Sequence, residues 1–178
     1  MEEIELTSQA LFGKKYIISL NKFIFLNIIT MGLYSIWWTY KGWRLFQERE
    51  AYNDLMPVWR TLFGIFFFYS LFERIKRFAL RWGYEKDYSS GYLLLGIVFF
   101  GLLSYLPYPC DLLILFDIVC FIPPFLALNY AIENSGDYEV VVEDSFNTKQ
   151  IVLIIVGSAL WLCEIYVAIC YYSGRNYY

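Results

Sequence analysis

The stretch DLLILFDIVCFIPPFLALNYAI, residues 111–132, followed closely by IVLIIVGSALWLCEIYVAIC, residues 151–170, decides the fold. Each run matches the roughly 20 residues that a helix needs to cross a hydrocarbon core, and each holds one isolated interior acid, Asp117 or Glu164. Working outward, Gly91 to Pro107 and Phe23 to Tyr40 approach the same length with few charges. The Phe23 run ends in Tyr34, Trp37, Trp38, Tyr40 and Trp43, a cluster suited to the interfacial belt. A fifth candidate, Val58 to Phe72, is short and contains Arg60, so it crosses at a tilt, re-enters, or lies at the interface. The expected fold is an all-α, polytopic integral membrane helical bundle of four to five spans, a single domain over residues 1–178.

Composition agrees. Of 178 residues, 59% are hydrophobic and 17% charged, where a soluble domain carries about 25% charged. A mean hydropathy of +0.46 with 22% aromatics disfavours both a soluble enzyme and a disordered chain. The net charge of −3 gives no pull toward duplex nucleic acid. With no histidine in the chain, Ser-His-Asp and Cys-His catalysis and imidazole metal ligation have no residue to perform them. Cys110, Cys120, Cys163 and Cys170 lack C-x-x-C spacing and lie in or beside apolar runs, so they read as small hydrophobes. No glycine-rich nucleotide fingerprint or nucleophile elbow occurs. The expectation is a non-enzyme without cofactor or metal.

Lys14 and Lys15 precede an apolar run, as in a signal peptide. However, Asn21 and Lys22 interrupt it and no small-residue cleavage site follows, so the first helix is expected to stay. Asp54 with Pro57 reads as a helix start, Pro107-Tyr108-Pro109 as a tight turn, and Asn147 or Ser145 as the cap of the last helix. Val140-Val141-Val142, inside an acidic loop, suggests a small hairpin. If five segments cross, Lys41, Arg44, Arg49, Arg60 and Arg175 lie opposite the other basic residues; if the second does not cross, Lys41 to Lys86 share a side with Lys149. Both arrangements put Arg74 to Lys86 in the cytoplasm. The five-span version with a cytoplasmic N-terminus is the working expectation.

The two interior acids carry the functional expectation. Their offsets from the midpoints of consecutive antiparallel helices predict similar depth for Asp117 and Glu164. A charge there costs about 2.5–3.5 kcal/mol, so such groups face a bundle interior or a water-filled cavity. On the last helix Gly157, Trp161, Glu164 and Ala168 share a face, which reads as an interface. Pro123-Pro124 is expected to interrupt the preceding helix and free carbonyls near the same interior. The same acids also have a packing reading, protonated and hydrogen-bonded to a Tyr or a carbonyl, or met by Lys22 or Arg60.

Arg74, Arg77 and Arg81 share a face of an amphipathic extension flanked by Phe78 and Trp82. They suit a phosphate-bearing ligand or anionic lipid headgroups. The loop from Glu133 to Asp144 lacks the arrangement of a calcium loop and reads as solvated. Tyr171, Tyr172, Tyr177 and Tyr178 read as belt residues closing the C-terminus.

The run KFIFLNIITMGLYSIWWTYKGW, residues 22–43, carries Thr30, Gly32, Tyr34, Trp37, Tyr40, Lys41 and Trp43, with one residue more between Trp37 and Tyr40 than the stretch Thr-x-Gly-x-Tyr-x-x-Trp-x-Tyr-Lys-x-Trp. It resembles an uncharacterised family of short bacterial multi-spanning membrane proteins. Pro57 to Phe72 and Gly157-Ser-Ala-Leu-Trp161 fit the same pattern, which implies the bacterial inner membrane and no assigned activity. In size and acidic interior the chain is also similar to pore-forming effectors of antiviral defence operons, such as the Hailong type, gated by nucleotide messengers. Together these readings lead to a homo-oligomeric membrane channel with a cation-attracting path. Asp117, Glu164, Pro123, Pro124, Gly157 and Trp161 would line it, while Arg74, Arg77 and Arg81 take an anionic nucleotide or lipid. The competing reading is a non-conducting interaction, immunity or scaffold subunit.

Overall fold

A turn at Thr30-Met31-Gly32 divides the Phe23 to Tyr40 run and organises the molecule. The structure, a computed structural model, describes residues 13–50 and 57–174; the expectations for Asp54, Arg175, Tyr177 and Tyr178 lie outside them. Before the turn stand a strand, β1 (Lys14–Ile17), and helix α1 (Leu20–Ile29), capped by the Ser19 hydroxyl, which accepts from the Lys22 amide. After it comes α2 (Leu33–Glu50). The Gly32 amide donates to the Asn27 carbonyl and the Met31 amide to the Ile28 carbonyl, the paired bonds that close a helix with a left-handed residue. Met31 and Gly32 both take positive φ, 49° and 84°.

Phe23 to Tyr40 is therefore a helical hairpin rather than the single span expected. In one straight helix Phe23 and Trp38 would lie about 22 Å apart, whereas their ring centroids are 5.8 Å apart. Phe125, farther along the chain, stacks on Phe23 at 4.2 Å. Phe23, Leu26, Tyr34, Trp43, Phe72, Phe121 and Phe125 are all but closed to solvent, and full burial of each such side chain contributes about 1.5–3 kcal/mol.

The chain continues through α3 (Pro57–Leu62), α4 (Gly64–Arg81) and α5 (Ser90–Leu103), then a 3-10 segment (Cys110–Asp117) running into α6 (Ile118–Asn134). Strand β2 (Glu139–Val142) and α7 (Thr148–Tyr172) complete the described residues. The Val140 to Val142 run makes no local hairpin. It pairs in parallel with β1, Lys14 opposite Glu139 through Ile17 opposite Val142, a partner too distant in sequence for local pattern to reveal.

This sheet marks one end of the bundle. Ion pairs from Glu48 to Lys15 and from Arg49 to Asp137 hold the end of α2 there. Tyr84 and Lys86, between α4 and α5, line a cavity with Ile17 and Val142 at the same end. The Pro107 to Pro109 turn forms the other end, where Tyr108 packs on Tyr171 and Tyr172. Within residues 58–72, Phe68 of α4 lies beside the hairpin turn, and α4 ends at Arg81 next to Arg49, at the sheet end.

The structure is mostly helical, and two runs of 25 residues, Cys110–Asn134 and Thr148–Tyr172, are long and apolar enough to cross a membrane. Only 6% of the most apolar window of α7 is buried, so its hydrophobic surface points outward, unlike a soluble core helix. Of the two caps expected, Asn147 and Ser145, Asn147 is the one used: it accepts from the Gln150 amide while Gln150 accepts from the Asn147 amide.

Candidate functional site

The hairpin turn carries polar groups into an apolar interior and satisfies each locally. Asn27, 2% exposed, donates to the Phe23 carbonyl at 2.9 Å and accepts the Ser35 hydroxyl at 2.5 Å. The Thr30 hydroxyl donates to the Leu26 carbonyl and accepts from the Tyr34 amide, bridging the two helices. Beside this turn lies a cavity of about 190 Å³ whose wall includes Asn27, Met31, Ser35, Phe68, Ile97 and Asp117. Asp117, half-buried, lines this cavity together with the polar residues of the turn.

The helix carrying Asp117 departs from expectation. Pro123 and Pro124 do not interrupt it; α6 runs through both, with Pro124 buried. The irregularity lies upstream, where Cys110–Asp117 winds as a 3-10 helix, unusually long for that geometry and the kind of segment that marks a strained or functional site. At three residues per turn, Asp111 and Asp117 fall on one face, about 12 Å apart along the axis. In an α-helix they would diverge by about 120°.

Glu164 does not share Asp117's level. Its carboxyl lies near that of Asp111, close enough for the two to act on each other. Asp111 Oδ1 and Glu164 Oε1 are both closed off from solvent and without a hydrogen-bond donor among the described residues. Two carboxyl groups held this way need a shared proton or a cation between them. The expected pairing by depth fails: Asp117 lines the cavity beside the hairpin turn, whereas Glu164 lies nearer Asp111, at the far end of the 3-10 segment. Asp111, which sequence reasoning passed over as a span terminus, joins the site instead.

Gly157 and Trp161 do form an interface, but within the chain. Gly157 lies against the hairpin turn so closely that a Cβ there would overlap the Ile29 carbonyl oxygen and the Thr30 Cα. The Trp161 indole donates to the Ile28 carbonyl at 3.0 Å. Neither acid is met by Lys22 or Arg60. Lys22, 9% exposed, donates to the Glu143 and Ser145 carbonyls at 2.8 and 2.7 Å. Arg60 stacks over Trp43 and Phe67. Glu143 in turn accepts from the Asn147 and Gln150 amides, so the acidic loop clamps the hairpin base rather than being simply solvated.

The arginines converge as their spacing predicts. Arg74, Arg77 and Arg81 line one cavity of about 300 Å³ with Phe46 and Phe78, and α2 adds Arg49. Arg49 pairs with Asp137 at 2.7 Å and lies over the Phe78 ring at 4.2 Å. Four guanidinium groups around one concavity can grip a phosphate-bearing anion bidentately.

Comparison of the chain with protein-family models, with characterised proteins and with solved structures gives no match. The functional reading therefore rests on this geometry.

Proposed function

We propose that the chain is a multi-pass protein of the bacterial inner membrane that assembles with copies of itself around a cation-attracting path. The observation that carries the reading is the wall of acids: Asp111 and Asp117 on one face of the 3-10 segment, Glu164 opposite Asp111, and the polar hairpin turn opposite Asp117. Such a wall supplies a negative field and oxygen atoms that substitute for hydration. One protomer packs its own centre closed, so conduction calls for a symmetry axis between copies.

Charge supports a matching topology. The hairpin returns Lys41, Arg44 and Arg49 to the sheet end, where Lys14, Lys15, Lys22, Arg81, Lys86 and Lys149 also lie. Under the positive-inside rule that end is cytoplasmic. α5, the 3-10 segment with α6, and α7 then cross, while α1–α2 and α3–α4 re-enter. The arginine cavity faces the cytoplasm, where an anionic regulator acts; under the antiviral-effector reading it is a nucleotide.

Reconstituted vesicles test this. Wild type is expected to pass cations in preference to anions, and Asp117→Asn with Glu164→Gln to abolish that preference. Vesicles that stay tight with every anion added, or a preference unchanged in the double variant, reject the channel. The internal docking of Gly157 and Trp161 favours a second reading, a non-conducting interaction or scaffold subunit. Under it the acid substitutions alter stability while the vesicles never leak.

A further inference from the structure

Trp37 and Tyr40 of α2 each line two cavities at once, and the two differ in character. Toward the sheet end lies a cavity of about 460 Å³ between β1, α2 and α6. Its cations are unevenly matched. Lys14 pairs with Glu139, and Lys15 and Arg44 both pair with Glu48. Lys41 and Lys149 line the same cavity and have no carboxylate at ion-pair distance among the described residues. Lys149 instead lies over the Trp37 ring at 5.2 Å. Desolvation, then the ammonium groups of Lys15, Lys149 and Lys22, push the Lys41 pKa below the ordinary lysine value, against the pull of Glu143. Cations crowd here without enough anions.

On the other side of Trp37 and Tyr40 lies a second groove, of about 340 Å³, along α2, α3 and α7. Leu33, Ile36, Val58 and Leu153 wall it, and its Thr61 hydroxyl is already spent on the Pro57 carbonyl. From Tyr40 to Leu33 the groove follows α2 for about 10 Å. A cationic mouth, an aromatic collar and an apolar trough in that order match the profile of a membrane interface.

We infer that these two cavities, adjoining across Trp37 and Tyr40, together hold one anionic phospholipid, its phosphate between Lys41 and Lys149 and one acyl chain laid along α2 toward the hairpin turn. The inference rests on the membrane reading above. A bound lipid ties the base of the hairpin to the first turns of α7, the helix that otherwise touches the bundle chiefly at the hairpin turn. A soluble phosphate would occupy the mouth and leave the trough unused, so the trough argues for the lipid.

Native mass spectrometry of the full chain in uncharged detergent, offered equal phosphatidylglycerol and phosphatidylcholine with the same chains, tests the inference. One phosphatidylglycerol should be retained about tenfold over phosphatidylcholine. Lys41→Gln with Lys149→Gln should bring that ratio to near one, and Leu153→Trp, filling the trough, should lower retention of both lipids. Equal retention by wild type, a preference that survives the double variant, or displacement of the lipid by millimolar inorganic phosphate overturns the inference. Should the double variant misfold, wild type decides. Its preference must fall between about 0.1 M and about 1 M NaCl, as the screening length shrinks from about 10 to about 3 Å, and a salt-independent preference overturns the inference equally. Failure of the membrane reading looks different: the chain then stays monodisperse without detergent and does not float with phosphatidylcholine vesicles.

Discussion

α1 and α7 are equally apolar and end in opposite situations, α1 packed within its hairpin with α2 and α7 open. Phe23, Leu26, Tyr34 and Trp43 are buried at 1% exposure or less, whereas Leu162, Ile155 and Tyr166 of α7 are at least 60% exposed. What separates them is punctuation. The hairpin carries Asn27, Thr30 and Ser35 around a turn that satisfies all three, so the chain can reverse in an apolar interior without leaving a polar group unpaired. α7 meets no such turn and runs straight for 25 residues. Hydropathy alone therefore does not separate the two; a few polar residues decide whether an apolar run continues straight or folds back.

The largest test attacks the base of the hairpin. Lys22 holds the β2–α7 loop through two carbonyls and lies 3.7 Å from the Glu143 carboxylate, with both side chains largely buried. Lys22→Met leaves that carboxylate uncompensated, which typically costs 3–5 kcal/mol. Two amide donors stay on Glu143, so the lower end, about 3 kcal/mol, is expected in denaturant unfolding of the detergent-solubilised protein. A loss under about 1 kcal/mol would mean that the loop does not anchor the hairpin.

A matched pair of truncations measures the contrast itself. Leu26→Ala, in the hairpin at 0% exposure, should destabilise by about 2–5 kcal/mol. Leu162→Ala, on α7 at 68% exposure, should stay within about 0.5 kcal/mol. Comparable losses at the two sites would show that α7 is covered after all. Loss of assembly in Leu162→Ala without loss of monomer stability would place a second copy on that face.

Smaller again is the contact between the two regions. Gly157→Ala forces a methyl group into backbone that cannot swing aside, and overpacking of this kind costs about 1–3 kcal/mol. Disulfide trapping between Ile28→Cys and Trp161→Cys in a background without native cysteines should weaken in that variant. Trapping of equal efficiency would detach Gly157 from the docking.

These tests also mark what was readable in the sequence. Asn147 with Gln150, Pro57, and the face shared by Arg74, Arg77 and Arg81 were legible because each depends on neighbours within two turns of helix. Arg49 was not, since α2 brings it to the arginine cavity from elsewhere in the chain. Thr30-Met31-Gly32 held a turn signal, a glycine directly after a helix end, but averaging hydropathy across it hid the reversal. Asp111 was missed for a geometric reason: it meets Asp117's face only when the backbone winds at three residues per turn. The β1–β2 pairing joins segments more than a hundred residues apart, beyond any local pattern.

The smallest expected effect isolates burial as the reason Lys22 matters. Lys76 and Asp87 tie α4 to the start of α5 at 2.6 Å, a shorter ion pair than that of Lys22, but Asp87 is 73% exposed. The hydrogen bond from Lys76 lowers the Asp87 pKa below its ordinary 3.8, and the same bond raises the Lys76 pKa above 10.5. A depressed carboxylate contributes stability above its unfolded value and loses it as pH falls through the lower folded value. A raised lysine contributes below 10.5 and loses it as pH rises through the higher folded value. The tie is therefore whole across neutral pH. Asp87→Asn should lower the unfolding midpoint slightly at about pH 7, and that difference should shrink toward zero as acid protonates the wild-type carboxylate. A difference that grows on acidification would contradict the assignment, and one as large at pH 7 as that of Lys22→Met would mean that exposure does not set the worth of these anchors.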